Sequence, residues 1–358
     1  MMWRNTEVSR RLQLQVPIIQ GPFGSGLSSV ALTCAVSEAG GLGSFGVHHL
    51  RGEAILETAA AIRRVTAKPF ALNLWIPHPS EHAELDEAEF QRTLALFRPY
   101  FEELEVPLPT CPTINWPSFD EQVEALLQAQ PAVFSFVYGV PSAEVLEACR
   151  TRGILTLGTA TTVDEARALE AAGVDMLVAS GSEAGGHRVA FLKPAEENLI
   201  GSLALIPQVV DAVRVPVIAA GGIADGRGIA AALCLGAQGV QIGTAFLACS
   251  ESGASELHRQ ALFSSQARHT ALTRAFSGRL ARGIRNRLLD VLAEHQAELP
   301  GYPAQGWFAS ALKSAALTKQ RSDLLTLWCG QAAPLLQQRT ALSLWNSLLE
   351  QTDRLLSR

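Results

Sequence analysis

The stretch VPVIAAGGIADGRGIAAALCLGAQGVQIGT, residues 215–244, decides the fold. A short apolar, partly β-branched run (215–219) ends in Gly221 and Gly222. An amphipathic segment then begins near Asp225, and a second apolar run follows at 239–242. Short, continuous apolar strands alternating with helices belong to a parallel sheet covered on both faces. Working outward, the same unit recurs from residue 16, with strands expected at 16–19, 41–45, 70–74, 132–136, 154–157 and 175–178 before the two just described. The helix expected over 163–172 has Thr162 as N-cap and Gly173 as its stop. Eight strand–helix units in about 235 residues match a (β/α)8 TIM barrel. Such a barrel is an α/β fold, expected here over residues 1–250.

Between the third and fourth strands, residues 78–117 are too long for a simple crossover and are expected to add a helix and loop over one face. Past residue 250 the strand pattern stops. Residues 251–340 read as a helical cap or substrate segment, and 341–358 as a C-terminal helix packing on the barrel through leucines 342, 344, 348, 349, 355 and 356.

Composition narrows the function. The chain has 358 residues, 48% hydrophobic and 18% charged, which excludes a disordered or fibrous protein. No apolar stretch is long enough to span a bilayer, and the first residues lack the apolar core of a secretory signal, so a soluble cytoplasmic protein is expected. The net charge of -5 speaks against nucleic acid as a partner. Residues 268–287 carry six arginines, but apolar residues at helical spacing run through them, and a solvated helix face is expected. The six cysteines include no C-x-x-C and read as small core residues in a reducing compartment, with no metal site.

In a parallel barrel, chemistry sits in the loops after the strands. The loop after the seventh strand, AAGGIADGRG (219–228), lets the amides of Gly221 and Gly222 approach an anion, and the helix beginning near Asp225 adds its dipole. The loop after the eighth, QIGT (241–244), offers Gln241, Ile242, Gly243 and Thr244. Either glycine pair alone could be a turn requirement; two adjacent loops form a barrel's phosphate cradle. After the sixth strand, ASGSEAGGHRVAF (179–191) contains Ser180, Gly185 and Gly186, which would present His187 at the barrel mouth. An imidazole of ordinary pKa near 6.5 suits general acid–base work. His258, His269 and His295 read as surface residues, while His48, His49 and His78 could line the pocket without reacting.

Two other positions qualify by location. QGPFG (20–24) brings Gly21, Pro22 and Phe23 to a strand end, as a ligand approach or a plain tight turn. Asn73, in ALNLW (71–75), can both donate to and accept from a heterocycle edge; a backbone partner is the alternative. No paired carboxylates, G-x-S-x-G, H-E-x-x-H, G-x-x-x-x-G-K-[ST] or strand-following G-x-G-x-x-G occurs. A phosphate plus a planar ring points to a mononucleotide such as FMN.

These residues resemble the nitronate monooxygenases, formerly called 2-nitropropane dioxygenases. PIIQGPF (17–23), AVSEAGGLG (35–43), the Asn73 segment, EAGGHR (183–188), the AAGGI loop and QIGT are similar to that family's signatures in order and spacing. FSGRLARGIRN (276–286), GYP (301–303) and LWCGQ (327–331) resemble its C-terminal motifs. The resemblance implies an FMN-binding barrel that oxidises alkyl nitronates with molecular oxygen and without reduced nicotinamide. It implies FMN contacts from Asn73, Gly185, Gly222 and the run Gln241, Ile242, Gly243 and Thr244, with Gly21, Pro22, Phe23, Ser180 and Gly221 beside them. His187 matches the family's catalytic histidine, and Tyr302 and Lys313 fall where its substrate pocket is expected. Three positions depart from the pattern: Ser180 replaces a usual Gln, Phe23 a Met and Val189 a Gly. The same barrel also resembles FMN-dependent NAD(P)H:quinone reductases and enoyl-thioester reductases, which would draw electrons from NADH or NADPH. The implied partners are a small anionic substrate and oxygen, with no nucleic acid or membrane, in a monomer or homodimer.

Overall fold

The computed structural model describes residues 2–78, 85–113 and 116–357. All eight expected strands form: β1 (Ile18–Gln20), β2 (Gly43–Gly46), β3 (Phe70–Trp75), β4 (Val133–Val137), β5 (Leu155–Ala160) and β6 (Met176–Ser180), then, after a two-residue strand β7 (Gly186–His187), β8 (Val217–Ala220) and β9 (Gly239–Ile242). They pair in parallel in the order β1-β9-β8-β6-β5-β4-β3-β2. Closure comes from a parallel bridge between Ile19 and Leu42, where Gln20 N donates to Leu42 O at 2.9 Å and Leu42 N to Ile18 O at 3.0 Å. The result is a (β/α)8 barrel.

Alternation along the strands divides their side chains between two cores. Ile19, Ala71, Val133, Leu157, Met176, Val178 and Ile218 form one buried cluster with Val8 and Leu12 of the helix Glu7–Leu12. That helix lies at the N-terminal ends of the strands: Arg11 donates to Asp175 O, just before β6, and Val8 sits against Gly239 at the start of β9. One mouth of the barrel is thereby closed, leaving the C-terminal mouth for ligands. The complementary residues, among them Leu72, Phe134, Phe136 and Leu177, pack outward against the helices. Local signals set those helices; Val163–Ala171 starts where Thr162 accepts from Glu165 N and is followed by Gly173 at φ +84°.

Of the added segment expected over 78–117, the described part contains the helix Glu87–Glu103, capped by Asp86; residues 79–84 and 114–115 lie outside the described residues. Its Phe90, Phe97 and Phe101 pack on Phe308 and Leu312 of the helix Ala304–Thr318.

The C-terminal part departs from the expected all-helical reading. Strands β10 (Thr270–Thr273) and β11 (Ala281–Ile284) pair antiparallel, and β11 also pairs with β7, placing Ala281 opposite His187. The arginine-rich residues 268–287 are therefore a β-hairpin, not a solvated helix face, and Arg279 and Arg282 are buried. Glycine explains the difference: Gly278 adopts φ +88°, and Gly283 leaves room for the Phe276 ring and the Leu327 carbonyl, so helical periodicity has no continuous backbone to act on.

The last helix spans Ala341–Leu356 and packs on the helix Gly226–Cys234 outside the barrel. Its buried stripe is Ala341, Leu344, Trp345, Leu348 and Thr352, whereas Leu342 is 64% and Leu355 38% exposed. The 3.6-residue period cannot place all six leucines on one face. All six cysteines are free; Cys234 is exposed, unlike the core role expected of it. Among the described residues no helix is long and apolar enough to cross a membrane, and no cluster of His, Cys, Asp or Glu could hold a metal.

Candidate active site

A cavity fills the open mouth of the barrel. Gly21, Pro22, Phe23, Asn73, Ser180, Gly185, His187, Gly221, Gly222, Gln241, Gly243 and Thr244 all border it, although they come from the ends of five strands and the loops that follow them. Ile242 does not: its side chain is fully buried in the core, and its carbonyl accepts from Gly21 N at 2.9 Å. Tyr302 borders an adjoining cavity. Lys313 is exposed on the helix Ala304–Thr318 and borders neither.

The loops after β8 and β9 have the chemistry of an anion cradle. Gly221 and Gly222 take φ +97° and +72°. Among the described residues, the amides of Gly222, Gly243 and Thr244 donate to no other group. A Cβ on Gly243 would meet only the Phe23 ring, at 3.9 Å, so that position faces open space. Thr244 Oγ1 accepts from Gly330 N at 2.9 Å, which leaves the hydroxyl hydrogen to donate. The helix dipole expected from Asp225 is committed elsewhere. Asp225 accepts from Arg227 N and Gly228 N, and Gln351 accepts from Gly226 N, so the first amides of that helix are already satisfied.

The loop after β6 is held from beneath by buried charges. Arg188 donates to Gly181 O at 2.7 Å and to Ser180 O and Asn198 O at 3.2 Å. Burial, aided by neighbouring Arg282, pushes its pKa down to about 10, still charged at neutral pH. Glu183 accepts from the Ser202 amide and hydroxyl, and buried Glu165 from the amides of Thr161, Phe191 and Leu192. Gly185 is glycine because the backbone of Cys329 and Gly330 crosses where a Cβ would stand.

His187 therefore enters the cavity on a braced strand. Its Nε2 is 2.7 Å from Ser277 Oγ, while among the described residues Nδ1 has no hydrogen-bond partner and is not sealed from solvent. Trp75 makes a T-shaped contact with its ring at 4.9 Å, and Trp328 packs on it in a tilted arrangement at 5.0 Å. Burial, then the nearby Arg279 guanidinium, pushes its pKa down to about 3, so the imidazole is neutral through the physiological range rather than titrating near 6.5. Arg279 itself lies 3.7 Å from the Tyr138 ring centroid and 4.2 Å from that of Tyr302. Asn73, 3% exposed, donates from Nδ2 to Ser135 Oγ at 3.0 Å. Its partner is thus a side chain, not the backbone.

Sequence reasoning passed over Trp75, Trp328, Ser277 and Arg279. Trp75 was within reach, being two residues beyond Asn73 on the same strand face. The other three come from segments more than 80 residues past β6, and no local pattern aims them at the barrel. His258, expected on the surface, is 3% exposed and its Nε2 lies 2.9 Å from Trp328 O; burial pushes its pKa down to about 4. The unfolded chain then binds more protons than the folded one between about pH 6.5 and 4. Stability present above pH 6.5 is expected to be lost as pH falls through that window, by up to about 1.4 kcal/mol per pH unit for each of His258 and His187. Urea unfolding at pH 7 and pH 5 measures it.

The family model for nitronate monooxygenase matches residues 5–351. A Staphylococcus aureus (strain JH9) protein described as a probable nitronate monooxygenase is 36% identical over 356 residues, covering 99% of each chain. The solved structure of nitroalkane oxidase from Streptomyces ansochromogenes superposes with a TM-score of 0.88 at 36% identity, over 98% of this chain and 99% of that one. FabK from Thermotoga maritima superposes with a TM-score of 0.76 at 25% identity, over 99% and 97%.

Proposed function

The chain belongs to the nitronate monooxygenase family, and from that premise we propose that it binds FMN and oxidises alkyl nitronates, propionate 3-nitronate among them, with molecular oxygen. The observation that carries the cofactor reading is the set of unpartnered amides at Gly222, Gly243 and Thr244, on two adjacent glycine loops that open on the same cavity as His187. Oriented donors with no protein partner suit a phosphate dianion. Gly21, Pro22 and Phe23 would bring backbone alongside a planar ring, and Asn73, Ser180 and Gln241 would supply polar groups to its edge. When bound, FMN supplies an electron acceptor that a nitronate can reduce and oxygen can reoxidise.

The remaining steps belong to the chain. A nitronate is already deprotonated at carbon, so the site has to orient it rather than remove a proton. His187, uncharged and with Nε2 engaged by Ser277, offers Nδ1 to the substrate; the Ser277 hydroxyl and the edge of Trp75 fix the ring plane. Trp75 and Trp328 shield that imidazole from bulk water, which strengthens any hydrogen bond it makes.

The test is anaerobic. Flavin-loaded protein is mixed with propionate 3-nitronate in one cuvette and NADH in another, and flavin absorbance is followed. Bleaching by the nitronate alone is the expected result. Bleaching by NADH alone would reassign the chain to the nicotinamide-dependent reductases of the same barrel.

A further inference from the structure

A second imidazole stands at the wall that His187 occupies. His48 follows β2, is 8% exposed, and lies flat on Trp75 with 3.7 Å between ring centroids and 8° between planes. Trp75 thus carries His48 on its face and His187 at its edge. The placement is built from several sides: a Cβ on Gly24 would collide with the His48 ring, and Gln122 Nε2 donates at 2.8 Å to the carbonyls of both His48 and Leu50. His48 borders both the cofactor-loop cavity and the adjoining one that Tyr302 lines.

The two ring nitrogens of His48 differ. Among the described residues, Nδ1 is sealed from solvent with no hydrogen-bond partner, while Nε2 is not sealed and has no protein partner either. A buried N–H without an acceptor is costlier than a buried lone pair without a donor, so the proton belongs on Nε2. Desolvation keeps the ring neutral. The cavity is therefore offered a fixed, uncharged N–H donor that no group among the described residues uses.

We propose that His48 is a substrate-binding residue, whose Nε2–H donates to an oxygen of the nitronate group held between it and His187. The inference rests on the nitronate reading above and extends it to the group that grips the substrate.

His48→Phe keeps a flat ring on Trp75 and deletes the donor; His48→Gln returns an amide nitrogen to the Nε2 position. Anaerobic stopped-flow bleaching of the flavin-loaded variants by propionate 3-nitronate gives an apparent Kd and a limiting rate, and flavin fluorescence quenching gives FMN affinity. His48→Phe is expected to weaken nitronate binding roughly tenfold to hundredfold, with FMN affinity unchanged, and His48→Gln to recover most of that loss. An unchanged nitronate Kd in His48→Phe, or a loss confined to FMN affinity, overturns the proposal. Should His48→Phe fail to load flavin, His48→Gln is compared with His48→Asn, whose amide falls at Nδ1. Roughly tenfold tighter binding by Gln supports the proposal, and equal binding overturns it. A wild-type flavin that nitronate does not bleach overturns the parent reading along with the inference; a bleached wild type with an unchanged variant overturns the inference alone.

Discussion

His187→Asn is expected to keep its FMN and lose most of its turnover, with kcat/KM for propionate 3-nitronate falling by roughly 10–100-fold, the worth of an oriented hydrogen bond to a charged group. Flavin retention follows from location, since the unpartnered amides of Gly222, Gly243 and Thr244 lie on other loops and do not depend on the imidazole. The loss follows from geometry. Asn can place its amide near the Nδ1 position but cannot reach Ser277 Oγ, so the group that faces the substrate is no longer held in orientation. Oxygen uptake measures the rate, and the visible spectrum measures flavin content. Unchanged turnover would remove His187 from the reaction. The wild-type rate should also carry no histidine inflection near pH 6.5, because burial and Arg279 hold this imidazole's pKa at about 3.

Gly243→Val is expected to do the opposite, leaving a folded protein that has lost its cofactor. Gly243 has a negative φ, -98°, and its Cβ direction is clear except for the Phe23 ring at 3.9 Å. A Cβ at this position therefore meets no clash within the apoprotein. The added methyl groups would instead fill the space in front of the Gly243 and Thr244 amides. Losing hydrogen bonds to a charged phosphate is worth about 1.5–3 kcal/mol each, so FMN affinity should fall roughly a hundredfold or more. Flavin fluorescence quenching gives the affinity, and thermal unfolding of the apoprotein should shift little. Wild-type affinity in this variant would move the phosphate away from the β8 and β9 loops.

Much of this was legible in the residues. The eight strands could be read because a buried parallel strand is a short continuous apolar run, and the loops that follow them could be read because Gly221, Gly222, Gly243 and Gly185 interrupt that pattern where strands end. A local period misleads where long-range pairing overrides it. Apolar residues spaced through 268–287 suggested a helix, yet β11 is recruited by β7, nearly 100 residues earlier, and that pairing outweighs propensity. The leucines of the last helix likewise suggested one stripe, but only those facing the helix Gly226–Cys234 and its neighbours are covered.

The sequence by itself determined the barrel, the glycine-rich strand ends that open on one cavity, and His187 as the candidate reactive group, since each follows from spacing along a few residues. Only the tertiary structure decided the character of that group. Trp75 from β3, Ser277 and Arg279 from the hairpin, and Trp328 from the C-terminal segment converge on one imidazole. Their convergence excludes water and adds a nearby positive charge, and both effects disfavour the protonated ring. A residue type that would titrate near neutrality in solution is thereby held as a neutral hydrogen-bonding group, because pKa depends on what surrounds a side chain in space and not on what flanks it in the chain.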